Sequence, residues 1–186
     1  MKITTVRIVA TLFYLVFLTG CAGLHANLDA PMESSLQGKK VVVFPFHDPY
    51  YHGRQIPGIG RPFAAVFINK LQTAGVLASF AKSTAFTSRE AIDIEKACEY
   101  AASNGYDALI IGTVTEWIDG ATQWSGTVDV AALSVSVYLS PDCAFSGSAS
   151  GRQNGRWFTF INAPTTRFYN PLSEKIVSEL VNQGEG

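Results

Sequence analysis

A continuous apolar run, KVVVFPFH at residues 40–47, is the feature that most constrains the fold of this 186-residue chain. The run is rich in β-branched and aromatic residues, and such runs are typical of strands that are buried on both faces of a sheet. Pro45 has no backbone N–H to donate, so it must lie near the end of that strand or on an edge. A second run, ALIIGTVTEW at residues 108–117, predicts another strand.

Helical periodicity follows the first strand. Residues 62–74 place Phe63, Phe67 and Leu71 four residues apart and end before Gly75. This spacing puts the three apolar side chains on one face, and a glycine directly after the last turn is a common helix terminator. We therefore expect an amphipathic helix over residues 62–74.

A second helix is expected before the strand at residues 108–117. Thr87 and Glu90 have the spacing of a capping box, in which each side chain accepts a hydrogen bond from a backbone N–H of the first turn. Gly105 would end this helix, and residues 76–80 supply a short strand before it. The first part of the chain thus has the order βαβαβ.

The second part of the chain alternates between apolar and polar residues. Residues 127–139 and 144–150 have the period of two that is typical of antiparallel strands, and serines line one face of each. Residues 155–163 are expected to form a further strand or an exposed flap. Asn170 and Pro171 have the N-cap and N1 preferences that open a last helix. The prediction is an α/β fold with three helices and a mixed sheet, in the order βαβαβββα.

The amino terminus has the plan of an export signal. Lys2 and Arg7 precede an apolar run at residues 8–18, which is too short to cross a membrane. The run ends in a quartet that resembles the lipobox of bacterial lipoproteins: Leu18, Thr19, Gly20 and Cys21. The resemblance implies removal of residues 1–20 and lipidation of Cys21, with palmitate among the acyl chains. Ala22 after the cysteine favours the outer membrane, by resemblance to sorted lipoproteins.

Composition indicates one domain on a tether. Residues 21–38 contain proline, glycine and serine without a sustained apolar period, which predicts a flexible linker after the lipidated cysteine. Residues 39–183 are long enough for a single α/β domain, followed by a short tail at residues 184–186. The signal would take two of the 14 basic residues and none of the 15 acidic residues, so the remaining chain is weakly acidic. We expect no nucleic-acid partner.

Four blocks of the sequence look like successive blocks of the amino-terminal domain of TolB and of CsgG-type envelope lipoproteins. They are VVVFPF, IGRPFAAVFINKLQTAGVLASF, GYDALIIGTVTEW and VAALSVSVYLSPDCAFSGSASG, and the resemblance covers residues 40–182. The chain also resembles small bacterial lipoproteins of this fold whose role is uncharacterised. The resemblance implies a sandwich with helices on one sheet face, no catalysis and no cofactor. The chain lacks the propeller of TolB and the membrane hairpins of a CsgG-like pore.

The stretch FPFHDPYYHGRQIPGIGR at residues 44–61 collects chemically active side chains. His47, Asp48 and His52 are a weak candidate for a metal site, because zinc requires three or four ligands at defined spacing. The sequence contains no G-x-S-x-G motif for a hydrolase. The glycines at residues 58–60 precede a helix as in a phosphate cradle, but Walker and Rossmann spacings are absent.

The favoured interpretation of this stretch is a surface loop that contacts a protein partner. Tyr50, Tyr51 and Arg54 are the expected contact residues, because tyrosine and arginine are enriched at interface hot spots. Two other cysteines, Cys98 and Cys143, leave two alternatives open. They form a disulfide in an oxidising compartment, or Cys98 stays a small core residue, which the helical pattern favours.

Together these features predict an outer-membrane lipoprotein, facing the periplasm, that is a non-enzymatic accessory or assembly module of an envelope complex. A membrane, through the lipid anchor, and an envelope protein are the expected partners. One alternative is a protein that binds a small ligand or a metal through the loop at residues 47–54. Another is a homo-oligomeric ring subunit, which the CsgG-like pattern alone suggests.

Overall fold

The computed structural model describes residues 23–120, 128–155 and 165–182. Its strands are β1 (Leu24–Ala30), β2 (Lys40–Val43), β3 (Tyr50–Tyr51), β4 (Arg54–Gln55), β5 (Leu77–Phe80), β6 (Ala108–Ile118), β7 (Val130–Leu139) and β8 (Ala144–Asn154). Its helices are α1 (Gly60–Thr73), α2 (Ile94–Ser103) and α3 (Tyr169–Asn182), and a 3₁₀ turn at Thr165–Phe168 precedes α3.

Six of these strands form one mixed sheet in the order β1-β8-β7-β6-β2-β5. Strand β2 lies parallel to β5 and to β6, whereas the pairs β6–β7, β7–β8 and β8–β1 are antiparallel. Strands β3 and β4 form a separate hairpin. The mixed α/β class with three helices is confirmed, but the predicted order βαβαβββα lacks β1, β3 and β4.

Helices cover both faces of the sheet. Val41, Val43 and Ile110 belong to the apolar cluster that α1 and α3 form on one face. The neighbouring residues in the same strands, Val42 and Leu109, pack with α2 on the opposite face. The implied arrangement with helices on one face is therefore wrong, because consecutive residues of the central strands are apolar and both faces must be removed from water.

The predicted flexible tether at residues 21–38 is wrong for Leu24–Ala30. This segment forms edge strand β1, which pairs antiparallel with β8 from Leu24 to Ala30. Every second residue of β1, namely Leu24, Ala26 and Leu28, packs against the apolar cluster that includes α3. Ala26 is buried there. The alternation is visible in the sequence LHANLDA, but the apolar residues are small or few, so the segment resembles a linker.

The second helix begins later than the capping box at Thr87 and Glu90 indicates. Helix α2 starts at Ile94, and the Asp93 side chain accepts a hydrogen bond from the Lys96 backbone N–H at 3.3 Å. Thr87 lies instead in the connection from β5 to α2. That connection is fixed by tertiary contact, since the Ser88 carbonyl accepts the Asp48 backbone N–H at 2.7 Å.

The predicted signal and lipidation site, Leu18, Thr19, Gly20 and Cys21, lies outside the described residues. The same holds for most of the expected strand or flap at residues 155–163 and for the tail at residues 184–186. Among residues 23–120, 128–155 and 165–182, no helix combines the length and the apolar character required to cross a membrane.

Candidate functional site

The residues predicted to contact a partner lie on the β3–β4 hairpin. Tyr50 pairs with Gln55 and Tyr51 with Arg54, so two residues, His52 and Gly53, form the turn. Their φ angles are 50° and 75°, the left-handed conformation at both central positions that two-residue hairpins favour. Tyr50 is 58% exposed and Tyr51 is 46% exposed, and both are among the large apolar side chains most accessible to water in the described part of the chain.

Gln55 fixes the hairpin to the rest of the domain. Its Nε2 donates to the Arg89 carbonyl at 2.8 Å and lies 3.3 Å from His47 Nε2. His47 is in turn held beside β6, where it forms a parallel bridge with Thr113. The exposed tyrosines therefore project from a supported hairpin. The sequence around Gln55 does not predict this supporting role, because its partner Arg89 is 34 residues away.

Asp48 is a structural cap rather than an exposed ligand. Its side chain is buried, and its carboxylate oxygens accept backbone N–H groups of Gly58 at 3.1 Å, Ile59 at 2.9 Å and Gly60 at 2.6 Å. These donors stand at the start of α1, where a negative charge also interacts favourably with the helix dipole. The amides that a phosphate cradle would use are thus already occupied by the chain's own carboxylate.

The capping by Asp48 also argues against the predicted metal alternative of His47, Asp48 and His52. Both carboxylate oxygens face backbone donors, while His47 contacts Gln55 and His52 lies at the tip of the hairpin. Across the described ranges, no three His, Cys, Asp or Glu side chains come together in a way that could hold a metal ion.

Tyr169, at the start of α3, packs against the first turn of α1. Its ring packs against Phe63 at 4.7 Å and against Trp117 at 5.4 Å between ring centroids. Burial raises the pKa of the Tyr169 hydroxyl, and the negative charge of Asp48 raises that pKa further. The cap of α1 and the start of α3 are therefore electrostatically linked.

Cys98 and Cys143 form a disulfide, with their Cα atoms 5.6 Å apart. The bond ties α2 to the turn between β7 and β8, across 45 residues of sequence. The favoured interpretation of Cys98 as a free core thiol is wrong. Sequence spacing gives no distance between a helix and a turn, and only the packing of α2 on the sheet brings the two cysteines together.

The sheet face beyond α2 is polar and partly open. Serines line it, at half-buried positions 134, 136, 148 and 150. Arg152 Nε donates to Glu116 Oε2 at 2.8 Å across strand β7, and Ser150 Oγ donates to Asp29 at 2.8 Å. Hydrogen bonding to Glu116 raises the pKa of the Arg152 guanidinium. The charged groups of Glu116 and Arg152 on this face are thus paired with each other, and the hairpin is the better candidate for a contact surface because its tyrosines are more exposed.

No protein-family model matches the chain, and no curated protein matches it. Among solved structures, the PelC dodecamer from Paraburkholderia phytofirmans is 18% identical, with a TM-score of 0.64 over 86% of this chain and 98% of PelC. Lipoprotein GNA1162 from Neisseria meningitidis is also 18% identical, with a TM-score of 0.48 over 76% of this chain and 97% of its own. The LpoB C-terminal domain from Salmonella enterica is 10% identical, with a TM-score of 0.41 over 62% of this chain and 83% of the domain.

The first of these similarities shows that the chain has the fold of PelC, a small mixed α/β fold. The more specific resemblance to TolB and CsgG stays a prediction.

Proposed function

We propose that this chain is an outer-membrane lipoprotein whose α/β domain is a non-enzymatic accessory module of an envelope complex in the periplasm. Lipidation of Cys21 anchors it, and the β3–β4 hairpin contacts the protein partner. The observation that carries the proposal is the exposure of Tyr50 and Tyr51 on a hairpin that Gln55 holds in place. Exposed tyrosines on a rigid support offer contact area at low entropic cost.

The sheet topology supports a contact close to the membrane. Leu24 pairs with Gln153, Gln153 with Ala131, and Ala131 with Trp117, so β1 begins beside the carboxyl end of β6. Strand β2 is parallel to β6, so its carboxyl end, from which the hairpin extends, lies at this same end of the sheet. A lipid on Cys21 would be separated from Leu24 by two residues, which span at most about 10 Å. The hairpin would then face the membrane end of the domain.

A ring of identical subunits is the second candidate. It is favoured by the fold of PelC, which is a dodecamer. The sheet also ends in two edge strands, β1 and β5, whose unpaired backbone groups could join neighbouring copies. In this case the partner of the hairpin would be a second copy of the chain.

Site-specific photo-crosslinking tests the proposed contact. The photoreactive residue benzoylphenylalanine replaces Tyr50, which is 58% exposed, or the control Leu77, which is 59% exposed at the opposite end of the sheet. We expect a discrete adduct with a different protein from position 50 and none from position 77. An adduct of the chain with itself would favour the ring, and Leu77 could form one too because it lies on edge strand β5. Equal adducts with a different protein from both positions, or no adduct from position 50, would contradict a hairpin contact.

A further inference from the structure

A cleft of about 620 Å³ lies beside the hairpin, at the carboxyl ends of the parallel strands β2 and β5. Pro45, which follows β2, forms part of its wall, and Ala81 and Lys82 follow β5 on the other side. Helix α1 begins at its edge. In open α/β sheets, the crevice outside the carboxyl ends of parallel strands is where ligands bind.

Three cationic side chains line this cleft: Arg61, Lys82 and Arg89. All three residues are exposed, and within residues 23–120, 128–155 and 165–182 none of them is in an ion pair. The cations that are paired in the described chain each have a carboxylate oxygen within 3.2 Å. Cations that line one cleft without an ion-pair partner repel one another, and an anion bound between them lowers that cost.

The only acidic residue on the described wall of the cleft is Asp48. Its oxygens already accept the three N–H groups of Gly58, Ile59 and Gly60, and its side chain is 1% exposed. It therefore does not neutralise the cations by direct contact. The lining carries three positive charges and one negative charge, an excess that corresponds to a dianion.

The cleft also offers neutral hydrogen-bond donors on a fixed backbone. Hydroxyl groups of Ser83, Thr84, Thr87 and Ser88 line it. The Ser88 Oγ is buried and has no hydrogen-bond partner among the described residues. A buried hydroxyl without a partner is costly, so a ligand oxygen that accepts from it would be favourable.

The backbone that carries these groups is held from three sides. The Lys82 N–H donates to the Tyr100 hydroxyl at 2.8 Å, the Ser88 carbonyl accepts from Asp48 N–H, and the Arg89 carbonyl accepts from Gln55. The Arg61 guanidinium lies 5.7 Å from the centre of the Phe80 ring, a cation–π distance. The backbone that carries the charged groups is thus held in place before any ligand binds.

We propose that this cleft binds a phosphate group, with Arg61, Lys82 and Arg89 as the charged ligands and the Ser88 hydroxyl as a donor. A phosphate monoester carries nearly two negative charges at neutral pH, and guanidinium groups bind its oxygens in a forked geometry. The site is separate from the hairpin tyrosines. Because the cleft lies at the sheet end where β1 begins, the phosphate belongs either to a soluble ester or to a lipid headgroup.

Calorimetric titration of the full chain in detergent tests this proposal. The probes are inorganic phosphate and glycerol 3-phosphate, with acetate at the same ionic strength as the monoanion control. Arg61→Gln and Arg89→Gln remove cleft charges, whereas Arg152→Gln removes the same charge from the open sheet face and is the matched control. We expect saturable phosphate binding that each cleft variant weakens about tenfold and that Arg152→Gln leaves within about twofold.

Competition distinguishes the two sources of phosphate. If phosphatidylcholine vesicles that contain phosphatidic acid displace glycerol 3-phosphate, the ligand is a lipid headgroup, and if they do not, it is a soluble ester. Either result supports the cleft as the site. The proposal is overturned if phosphate binds no better than acetate, or if Arg152→Gln weakens binding as much as Arg61→Gln and Arg89→Gln do. Thermal unfolding of each variant verifies that it is folded.

Discussion

The Asp48 carboxylate lies 2.6 Å from the backbone nitrogen of Gly60 and caps α1 from a strand-to-helix connection twelve residues upstream. The same residue donates its own N–H to the Ser88 carbonyl. One buried acid thus joins the end of β2, the start of α1 and the connection that leads to α2. The candidate contact surface and the cationic cleft both depend on this junction.

Replacing Asp48 by alanine should lower the free energy of unfolding by about 3 kcal/mol, because backbone donors at a buried helix start lose a charged acceptor. Asp48→Asn, which keeps one acceptor oxygen, should lose less. Urea unfolding measures both changes. Asp142→Ala, at an exposed turn, is the control and should change stability by less than about 0.5 kcal/mol. If Asp48→Ala behaves like the control, the capping role is wrong.

Gly112→Ala should destabilise the domain by about 2–3 kcal/mol, because an added Cβ would lie 2.6 Å from Cε1 of the fully buried Phe46 ring. Phe46→Leu makes room for this Cβ. The double variant should therefore be more stable than the sum of the two single losses predicts, and chemical unfolding of all four proteins measures the difference. Additive losses would show that the two residues do not compete for space.

The elements with strong periodicity could be predicted from the sequence. The helix around Phe63, Phe67 and Leu71 and the central strand at residues 40–43 are present because local pattern and tertiary burial agree there. The start of α2 could not be predicted, since Ser88 and Arg89 make hydrogen bonds to distant residues that override the local capping box at Thr87.

Less of the candidate site than of the fold could be predicted from the sequence. The hairpin tyrosines could be identified by residue type, and they are exposed. The role of Asp48 could not, because the same short stretch of His, Asp and Gly fits a metal site, a phosphate cradle or a helix cap. The grouping of Arg61, Lys82 and Arg89 depends on how three separate segments meet at one end of the sheet.

Loss of the disulfide should destabilise the domain strongly. In the chain-entropy model, a bond that closes a loop of this length contributes about 4 kcal/mol, so Cys98→Ala with Cys143→Ala should lower the unfolding free energy by up to that amount. Mass spectrometry after alkylation without reductant should find both cysteines unmodified in the wild-type protein, and Cys143 alkylated in Cys98→Ala. Alkylation of both cysteines in the unreduced wild-type protein would contradict the bond.

Tyr169 should contribute to the loss of stability at alkaline pH. Its pKa is raised in the folded state, so the contribution is complete below the unfolded pKa of about 10 and is lost as the pH rises through that value toward the folded pKa. Each pH unit in this window would cost up to about 1.4 kcal/mol. Tyr169→Phe should therefore flatten the decline in urea midpoint above about pH 10. An unchanged slope would contradict the effect of burial.

The central claim is a hairpin contact with an envelope protein. The most direct measurement is the mass and composition of the particle extracted from its native membrane in mild detergent, for the wild-type chain, Leu77→Ala and the triple variant Tyr50→Ala, Tyr51→Ala, Arg54→Ala. We predict a different protein in fixed ratio with the wild-type chain and with Leu77→Ala, and its loss from the triple variant. A wild-type chain that is extracted alone, or a partner that the triple variant retains, would contradict the account.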